Sequence, residues 1–303
     1  MTYAARRLLY ALLVVFLVVT FSFFLVRLTG DPVALIAGAE ATEAQIRLIQ
    51  QALNLDKPLW LQYAIYMGEV LRGDFGRSFF TTLPAMSMIL QTLPNSLLLT
   101  LVAFAFAVVV ALPVGVLSAA RPDSPTDWTA RFVSVLGQCT PVFWLGILMM
   151  LLFSVKLRWL PFGGAGTWQH LVMPGLTLSA VMVPVVVQVT RSALLEALRQ
   201  DYVRTARSKG LTELQVLLKH ALRNASIPVV TVLGLRLGFI VGGAIVTETV
   251  FSYPGLGRLA VQAVNHRDFP IIQALLVIVS TAVVAINLML DWLYTLLDPR
   301  VRA

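Results

Sequence analysis

The chain is poor in charged residues and nearly lacks cysteine. Only 13% of its 303 residues are Asp, Glu, Lys or Arg, about half of the roughly 25% typical of soluble domains. With 58% hydrophobic residues and a mean hydropathy of +0.83, this composition favours a polytopic membrane protein. The single cysteine, Cys139, excludes an intrachain disulfide, and its apolar neighbours predict a buried side chain.

Sequence patterns typical of catalysis and of nucleotide binding are also missing. No Gly-Lys pair occurs, so the phosphate-binding loop Gly-x-x-x-x-Gly-Lys-Ser/Thr is absent. The three histidines, His170, His220 and His266, lie in separate segments without metal-ligand spacing. We therefore expect no catalytic residue, cofactor, metal or nucleic acid on this chain. If ATP drives its activity, another subunit must bind the nucleotide and its magnesium.

Long apolar runs dominate what is present. Six segments are long enough to cross a bilayer, approximately 8–28, 94–120, 131–155, 171–190, 228–250 and 271–297. The first run exceeds the apolar core of a signal peptide, so we expect an uncleaved helix. The sequence thus predicts an all-α membrane protein with a first helix over 1–28, an extracytoplasmic helical loop region over 29–93 and a five-helix core over 94–303.

The distribution of Lys and Arg predicts the orientation. With the N-terminus inside, thirteen of these residues fall on the cytoplasmic side, nine on the other, and Arg236 within a span. Lys and Arg are most concentrated in the short segments on the inside, so both termini are predicted to be cytoplasmic. In the 29–93 region, Thr42 and Gln45 fit a capping box that opens one amphipathic helix. A second helix is expected from near Pro58 to Gly73, on the outer face or against a partner.

A basic, polar segment, 191–225, interrupts the apolar runs. It carries seven basic residues, among them Arg204 and Lys209, against three acids. Gly210 suits a left-handed helix C-cap, and Thr212 with Gln215 fits a second capping box. We therefore expect the fourth span to continue as a helix past Arg191, followed by a helix–Gly–turn–helix unit. The alternative is an ordinary cytoplasmic loop made basic by its location.

The run from Tyr202 to Gly210 resembles the Glu-Ala-Ala (EAA) loop of ABC-importer permeases. Arg204-Thr205-Ala206 occupies the three motif positions, so an arginine replaces the acid, and proline comes only at Pro228. The longer pattern is similar to the dipeptide/oligopeptide/nickel branch of that family. Its further matches are Gly30-Asp31-Pro32, Leu55-Asp56-Lys57-Pro58-Leu59, Gly73-Asp74-Phe75-Gly76-x-Ser78, His220 to Ala225, Ile227 to Thr231, Pro254-Gly255-Leu256-Gly257-Arg258 and Arg267-Asp268-x-Pro270.

This resemblance implies a type I ABC importer permease fold and the role of one subunit in a larger machine. The partners would be a second homologous permease, two ABC ATPases and an extracytoplasmic substrate-binding protein, in a bacterial or archaeal cytoplasmic membrane. The basic segment would provide a coupling helix that docks on an ATPase. The residues expected at that interface are Asp201, Tyr202, Arg204, Thr205, Ala206, Lys209 and Gly210.

Two further groups of residues have open interpretations. Gly234, Gly238 and Gly242 recur every four residues around Arg236, which indicates either a pathway seam or packing within the bundle. Arg236 itself could line the pathway or snorkel to the surface. Near the outer end of that span Glu248 is expected to face water, and Asp291 in the last span to snorkel or cap. The turn with Pro254, Gly255, Gly257 and Arg258 is a candidate contact for the binding protein, or a plain surface turn.

The resemblance favours import of short peptides, including glutathione-like ones. Nickel chelates and opines remain alternatives for the same type of machine. A self-contained secondary transporter would show internal repeats or acid/base pairs at the membrane midplane, and an intramembrane enzyme would show a catalytic dyad in a span. The apolar segments carry neither pattern.

Overall fold

A computed structural model describes residues 3–29, 33 and 42–297. Within these residues the chain is helical and has no strand, apart from one isolated bridge between Arg77 and Pro84. The predicted Gly30-Asp31-Pro32 match lies outside the described residues. The helices are α1 (Tyr3–Thr29), α2 (Glu43–Ala52), α3 (Leu59–Leu71), α4 (Ala85–Ala120), α5 (Pro125–Cys139), α6 (Val142–Met149, continued as a π-helix over Met150–Lys156), α7 (Gln169–Ser179), α8 (Val183–Leu198), α9 (Asp201–Ser208), α10 (Glu213–Gln215, continued as a π-helix over Val216–Ala221), α11 (Leu222–Val250), α12 (Leu256–Asn265) and α13 (Phe269–Leu297).

Four stretches of helix in the described chain are individually long and apolar enough to cross a membrane. They are Arg6–Leu28, Ala85–Ala120, Glu213–Arg236 and Phe269–Leu290. Two further candidates are bent pairs, so the number of crossings is up to six if each pair counts as one span. The second apolar helix begins at Ala85 rather than near residue 94 and contains 36 residues. At 1.5 Å per residue it is about 54 Å long, which exceeds a ~30 Å hydrocarbon core.

The predicted third span, 131–155, is not a straight helix. It breaks between α5 and α6, whose axes differ by 104°. Pro141 lacks an amide hydrogen and disfavours helical geometry in the residue before it, and Thr140 accordingly has φ −84° and ψ 121°. With 15 residues, α5 is about 22 Å long and too short to cross the hydrocarbon core alone.

The predicted fourth span, 171–190, bends by 54° between α7 and α8. Pro184 lies in the first turn of α8, where its missing amide hydrogen costs nothing, whereas Pro174 is accommodated inside α7. As expected, α8 continues past Arg191, and it ends at Leu198.

By its contacts the chain divides into two compact units, and the boundary falls inside α4. The first unit combines residues 1–94 with residues 255–288. The five-helix core expected over 94–303 stays a prediction. In that first unit, α3 packs along α1. The hydroxyl of Tyr66 lies 2.9 Å from Ser22 Oγ, and that of Tyr63 lies 2.8 Å from Thr20 Oγ1.

The second unit, 95–254 with 289–303, has its core around α4. Leu99, Ala103, Ala107 and Ala111 are fully buried and recur every four residues on one face of this helix. They pack with Leu178, Met182, Val186 and Val187 from the α7–α8 segment. Small side chains at this spacing allow close approach between membrane helices. Gly115 continues the row, and a Cβ atom placed there would lie 2.7 Å from Thr190 Cβ.

Two expectations about single residues are wrong. Cys139 is exposed rather than buried, because it lies at the last turn of α5, just before the break. Glu248 does not face water: its side chain is 0% exposed and accepts a 2.5 Å hydrogen bond from Ser96 Oγ. A buried carboxylate needs such a donor to offset the loss of its hydration. Asp291 lies in α13, but its side chain is outside the described part of the structure.

Candidate functional site

The basic segment contains the expected helix–Gly–turn–helix unit. After α8 ends, Gln200 adopts an extended conformation and α9 begins at Asp201. This short helix ends at Ser208, Gly210 follows with φ +80°, and Thr212 begins the next helix. A residue with a Cβ atom pays roughly 1 kcal/mol or more to adopt such a left-handed conformation. Glycine therefore allows the chain to reverse tightly directly after α9.

One face of α9 is held by the chain itself. Val203 is 0% and Ala206 5% exposed, and both pack against fully buried Val216, with Leu198 and Leu211 at the edge of the cluster. Ala206, one of the two small residues expected at a partner interface, therefore lies toward its own chain. A larger side chain at this position would push α9 away from the helix behind it.

The other face of α9 is open and polar. Six of the residues expected at the interface lie on this face or just beyond it, and all six are exposed: Asp201, Tyr202, Arg204, Thr205, Lys209 and Gly210. Arg204 and Asp201 form only a loose ion pair at 3.8 Å, with side chains 80% and 98% exposed. A Cβ atom added at Gly210 would meet no atom within 4 Å. Space is therefore available for another molecule to approach the backbone there.

Two contacts fix the turn between α9 and α10. Arg207 donates to Glu213 through both Nε, at 2.8 Å, and Nη2, at 3.1 Å. The predicted capping box is present: Gln215 N donates to Thr212 Oγ1 at 3.4 Å, and Thr212 N donates to Gln215 Oε1 at 3.1 Å. The ion pair spans Gly210 and the capping box follows it directly. Together they fix the orientation of α9 relative to α10.

A buried carboxylate connects the base of this segment to the helices before it. Asp127 at the start of α5 is 0% exposed and accepts from Arg191 Nε at 2.6 Å and Nη2 at 2.8 Å. Ser118 Oγ and the backbone amide of Asp123 also donate to it, and Arg131 Nη2 lies 3.3 Å away. This bidentate ion pair joins α8 to the α4–α5 turn. The sequence reasoning missed it, because its only local signal is that Ser124 caps the first turn of α5.

The residues predicted in the fifth span lie on α11. Gly234 is buried and Arg236 is half-buried, and both positions are helical. Gly238 and Gly242 continue the same helix, but their surroundings lie outside the described part of the structure. The choice between a pathway seam and packing within the bundle therefore remains a prediction.

The turn after α11 offers less surface than the sequence indicates. Gly255 is the N-cap of α12, and both it and Gly257 are buried, while Pro254 and Arg258 are half-buried. The carbonyl of Pro254 accepts from Asn95 Nδ2 at 2.8 Å. Pro254 and Arg258 are thus the partly exposed residues among these four, and a contact with the binding protein stays a prediction.

Two motifs without an assigned role meet in space. Asp268 is 4% exposed and accepts hydrogen bonds from Ser78 Oγ and, at 3.1 Å, from the backbone amide of Phe79. The ring of Phe80 stacks on His266 with centroids 4.1 Å apart. The Gly73–Ser78 and Arg267–Pro270 motifs therefore form one joint between the 73–82 loop and the start of α13. Among the described residues, no three His, Cys, Asp or Glu side chains are placed to hold a metal ion.

Comparison with known families covers nearly the whole chain, in two matched ranges. Residues 111–303 match the model of the binding-protein-dependent transport system inner membrane component. Residues 1–100 match the N-terminal model of the same kind of membrane component. The chain belongs to this family. It is accordingly a multi-pass permease subunit of the cytoplasmic membrane, and the segment containing α9 lies inside the larger of the two matched regions.

Individual relatives support the same conclusion over the full length. The chain is 43% identical, over 303 residues that cover 100% of it and 99% of the relative, to the glutathione transport system permease protein GsiC of Salmonella typhi. The GsiC protein of Escherichia coli K12 is 42% identical over the same coverage. Proteins this similar share a fold, and both relatives are permease subunits by name.

Solved structures of more distant proteins support the fold alone. An inward-facing structure of the MetNI methionine ABC transporter matches with a TM-score of 0.60 and 22% identity, over 70% of this chain and 97% of that one. A structure of an amino acid ABC transporter with histidines matches with a TM-score of 0.56 and 16% identity, over 69% and 93%. The all-helical permease fold of ABC importers is therefore shown for this chain.

Proposed function

We propose that this permease uses α9 as the coupling helix that docks on a separate ATPase subunit. In the assembled importer, closure of two ATPases on ATP and magnesium would move α9 and change the opening of the pathway between two permeases. An extracytoplasmic binding protein would deliver the substrate. The observation that carries the proposal is the geometry of α9: its apolar face is fixed by Val203, Ala206 and Val216, while its polar face and Gly210 are open.

Rigid attachment is what a coupling element requires. A force applied to the open face of α9 reaches α10 through the Arg207–Glu213 ion pair and reaches the buried cluster through Val203. From α8, Arg191 passes the displacement to Asp127 and hence to α5. A continuous set of packed and hydrogen-bonded contacts of this kind can carry a movement between distant parts of a protein.

The decisive substitution is Gly210→Trp. The bulky side chain would fill the open space beside the backbone, so we expect uptake to fall to background and the ATPases to be lost from detergent pull-downs, while the chain still inserts. Gly76→Trp is the matched control, because Gly76 has φ +77° and no atom within 4 Å of an added Cβ. Normal uptake by a well-expressed Gly210→Trp protein would refute the coupling role.

For the substrate, we propose glutathione or short peptides of similar size. The support is the full-length identity of 43% to relatives named as glutathione transport permeases. We assign most of the selectivity among peptides to the binding protein. The permease would supply a pathway wide enough for a small, flexible, charged peptide.

Uptake by the complete transporter tests this assignment. Cells that express the complete transporter would be given labelled glutathione, a labelled dipeptide or nickel, and compared with cells that lack only this chain. We expect permease-dependent accumulation of glutathione or the dipeptide. Permease-dependent accumulation of nickel alone would overturn the peptide assignment and leave the coupling role intact, because Gly210→Trp would still abolish that uptake.

A further inference from the structure

The function proposed above uses two ion pairs at a groove beside the basic segment 191–225, but it does not use the groove itself. Its volume is about 810 Å³, and it lies within the second unit, between the α4–α5 turn and the helices α8 to α10. Four arginines and only two acidic residues line it. A groove of this size can hold a small organic ligand, for which volumes of roughly 300–1,000 Å³ are typical.

Two of the four arginines in the groove already form ion pairs with acidic residues of the chain. Arg191 is bound to Asp127, and Arg207 to Glu213. The other two, Arg121 and Arg199, are exposed, and in the part of the chain that the structure describes neither makes an ion pair or a side-chain hydrogen bond. These two guanidinium groups are therefore available to an anion. Guanidinium binds phosphate well, since its planar donors can reach two phosphate oxygens at once.

The rest of the groove is apolar. On α8, Arg191, Leu195, Leu198 and Arg199 follow the spacing of one helical face, so leucines lie beside the arginines. Leu214, at the start of the α10 helical run, also lines the groove and is 64% exposed. These leucines add no binding free energy for an inorganic anion. An amphiphile, in contrast, can bury its hydrocarbon against them.

The position of the groove relative to the membrane segments agrees with a lipid. It begins at Ala119 and Ala120, the last residues of the apolar helix α4, and Arg121 follows directly. An arginine at such a boundary lies at the depth of lipid head groups. Basic pockets between membrane helices on the cytoplasmic side are suited to anionic head groups.

We propose that the groove binds an anionic phospholipid, with its phosphate between Arg121 and Arg199 and its apolar part along Leu195 and Leu214. The lipid would connect the α4–α5 turn to the basic segment at the protein surface. The buried Asp127–Arg191 pair makes a similar connection within the protein. Anionic lipid in the surrounding leaflet would then stabilise the orientation of α9.

Lipid binding to the purified full-length chain tests the proposal. Phosphatidylglycerol and phosphatidylcholine would be titrated separately into the detergent-solubilised protein, with bound lipid counted by native mass spectrometry. We expect a preference for phosphatidylglycerol that Arg121→Gln/Arg199→Gln weakens roughly thirtyfold, which corresponds to about 2 kcal/mol for two basic residues. Arg199→Lys keeps the charge and should retain most of the preference.

The control is Arg223→Gln, which removes an exposed arginine of the same segment that does not line the groove. An equal loss in this control, or equal binding of the two lipids by the unaltered chain, would overturn the proposal in favour of general charge attraction. Displacement of phosphatidylglycerol by millimolar inorganic phosphate would overturn it in favour of a soluble anion. An unchanged preference for phosphatidylglycerol in the double variant would likewise overturn the proposal.

Discussion

At the scale of the residue, Asp127 supports the orientation of three segments at once. Its carboxylate is 0% exposed and receives hydrogen bonds from Arg191, from Ser118 and from the amide of Asp123. A carboxylate without exposed surface is tolerated because each of its oxygens accepts from two donors. Removing the negative charge leaves the Arg191 guanidinium, whose side chain is 20% exposed, without its partner.

We expect Asp127→Asn to lower the free energy of unfolding by about 3 kcal/mol, in line with the cost of breaking one buried ion pair. Thermal unfolding of the detergent-solubilised chain, followed by scanning fluorimetry, would show this as a lower Tm. Asp201→Asn removes a carboxylate whose side chain is 98% exposed and should leave the Tm unchanged. Equal Tm values for the two variants would mean that the Asp127–Arg191 pair contributes nothing to stability.

At the scale of the element, the row of small residues on α4 determines how closely α8 can approach. Gly115 occupies a tight position in this row: an added Cβ would lie 2.7 Å from Thr190 Cβ, 2.9 Å from its Cγ2 and 3.0 Å from Val187 O. Cβ contacts this short do not occur without movement of one helix. The backbone oxygen of Val187 cannot rotate away, so the strain has to be relieved by separating α4 from α8.

Gly115→Ala should therefore destabilise the chain, even though alanine is the better helix former. We expect a loss of about 1–3 kcal/mol, the usual cost of overpacking, measured as a lower Tm. Gly68→Ala provides the contrast within the same protein, because Gly68 lies inside α3 with nothing within 4 Å of an added Cβ. There the substitution should raise stability by up to about 1 kcal/mol. A stabilising Gly115→Ala would contradict the close packing of α4 and α8.

Local signals explain which elements were predictable. The predictions of two capping boxes and of a left-handed Gly210 are confirmed, because each depends on residues at most a few positions apart. The 104° break at Pro141 was missed, since a proline in an apolar run is compatible with either a kinked span or a break. The spacing of glycines predicted close packing on α11. The alanine row on α4 was not predicted, because its sequence does not differ from that of other apolar helices.

Contacts between distant residues were not predictable from one sequence. Arg191 and Asp127 are 64 positions apart, and Ser78 and Asp268 are 190 apart. Each residue has an ordinary interpretation on its own: Arg191 as part of a basic loop, Ser78 and Asp268 as pieces of family motifs. Only the fold brings the partners together, so the rigid support of α9 and the joint at α13 became visible in the structure alone.

At the scale of the whole molecule, the two bent pairs decide how the chain crosses the membrane. If each pair crosses once, the chain has six spans, and the loop after α6 lies on the opposite side from α9. If each pair enters and returns, the chain has four spans, and that loop lies on the same side as α9. Both arrangements leave the two termini on one side. The position of residues 157–168 therefore separates the two topologies, whereas the termini do not.

Single cysteines can distinguish these topologies, because Cys139 is the only native one. In a Cys139→Ser background, Thr42→Cys, Ala165→Cys and Ser208→Cys each place one thiol at an exposed residue. A membrane-impermeant maleimide added to intact cells should label Thr42→Cys and Ala165→Cys but not Ser208→Cys, because the dense Lys and Arg around α9 favour the cytoplasmic side. All three thiols should react after permeabilisation. Protection of Ala165→Cys together with labelling of Thr42→Cys would establish four crossings, and labelling of Ser208→Cys alone would invert the orientation and place α9 where no ATPase could reach it.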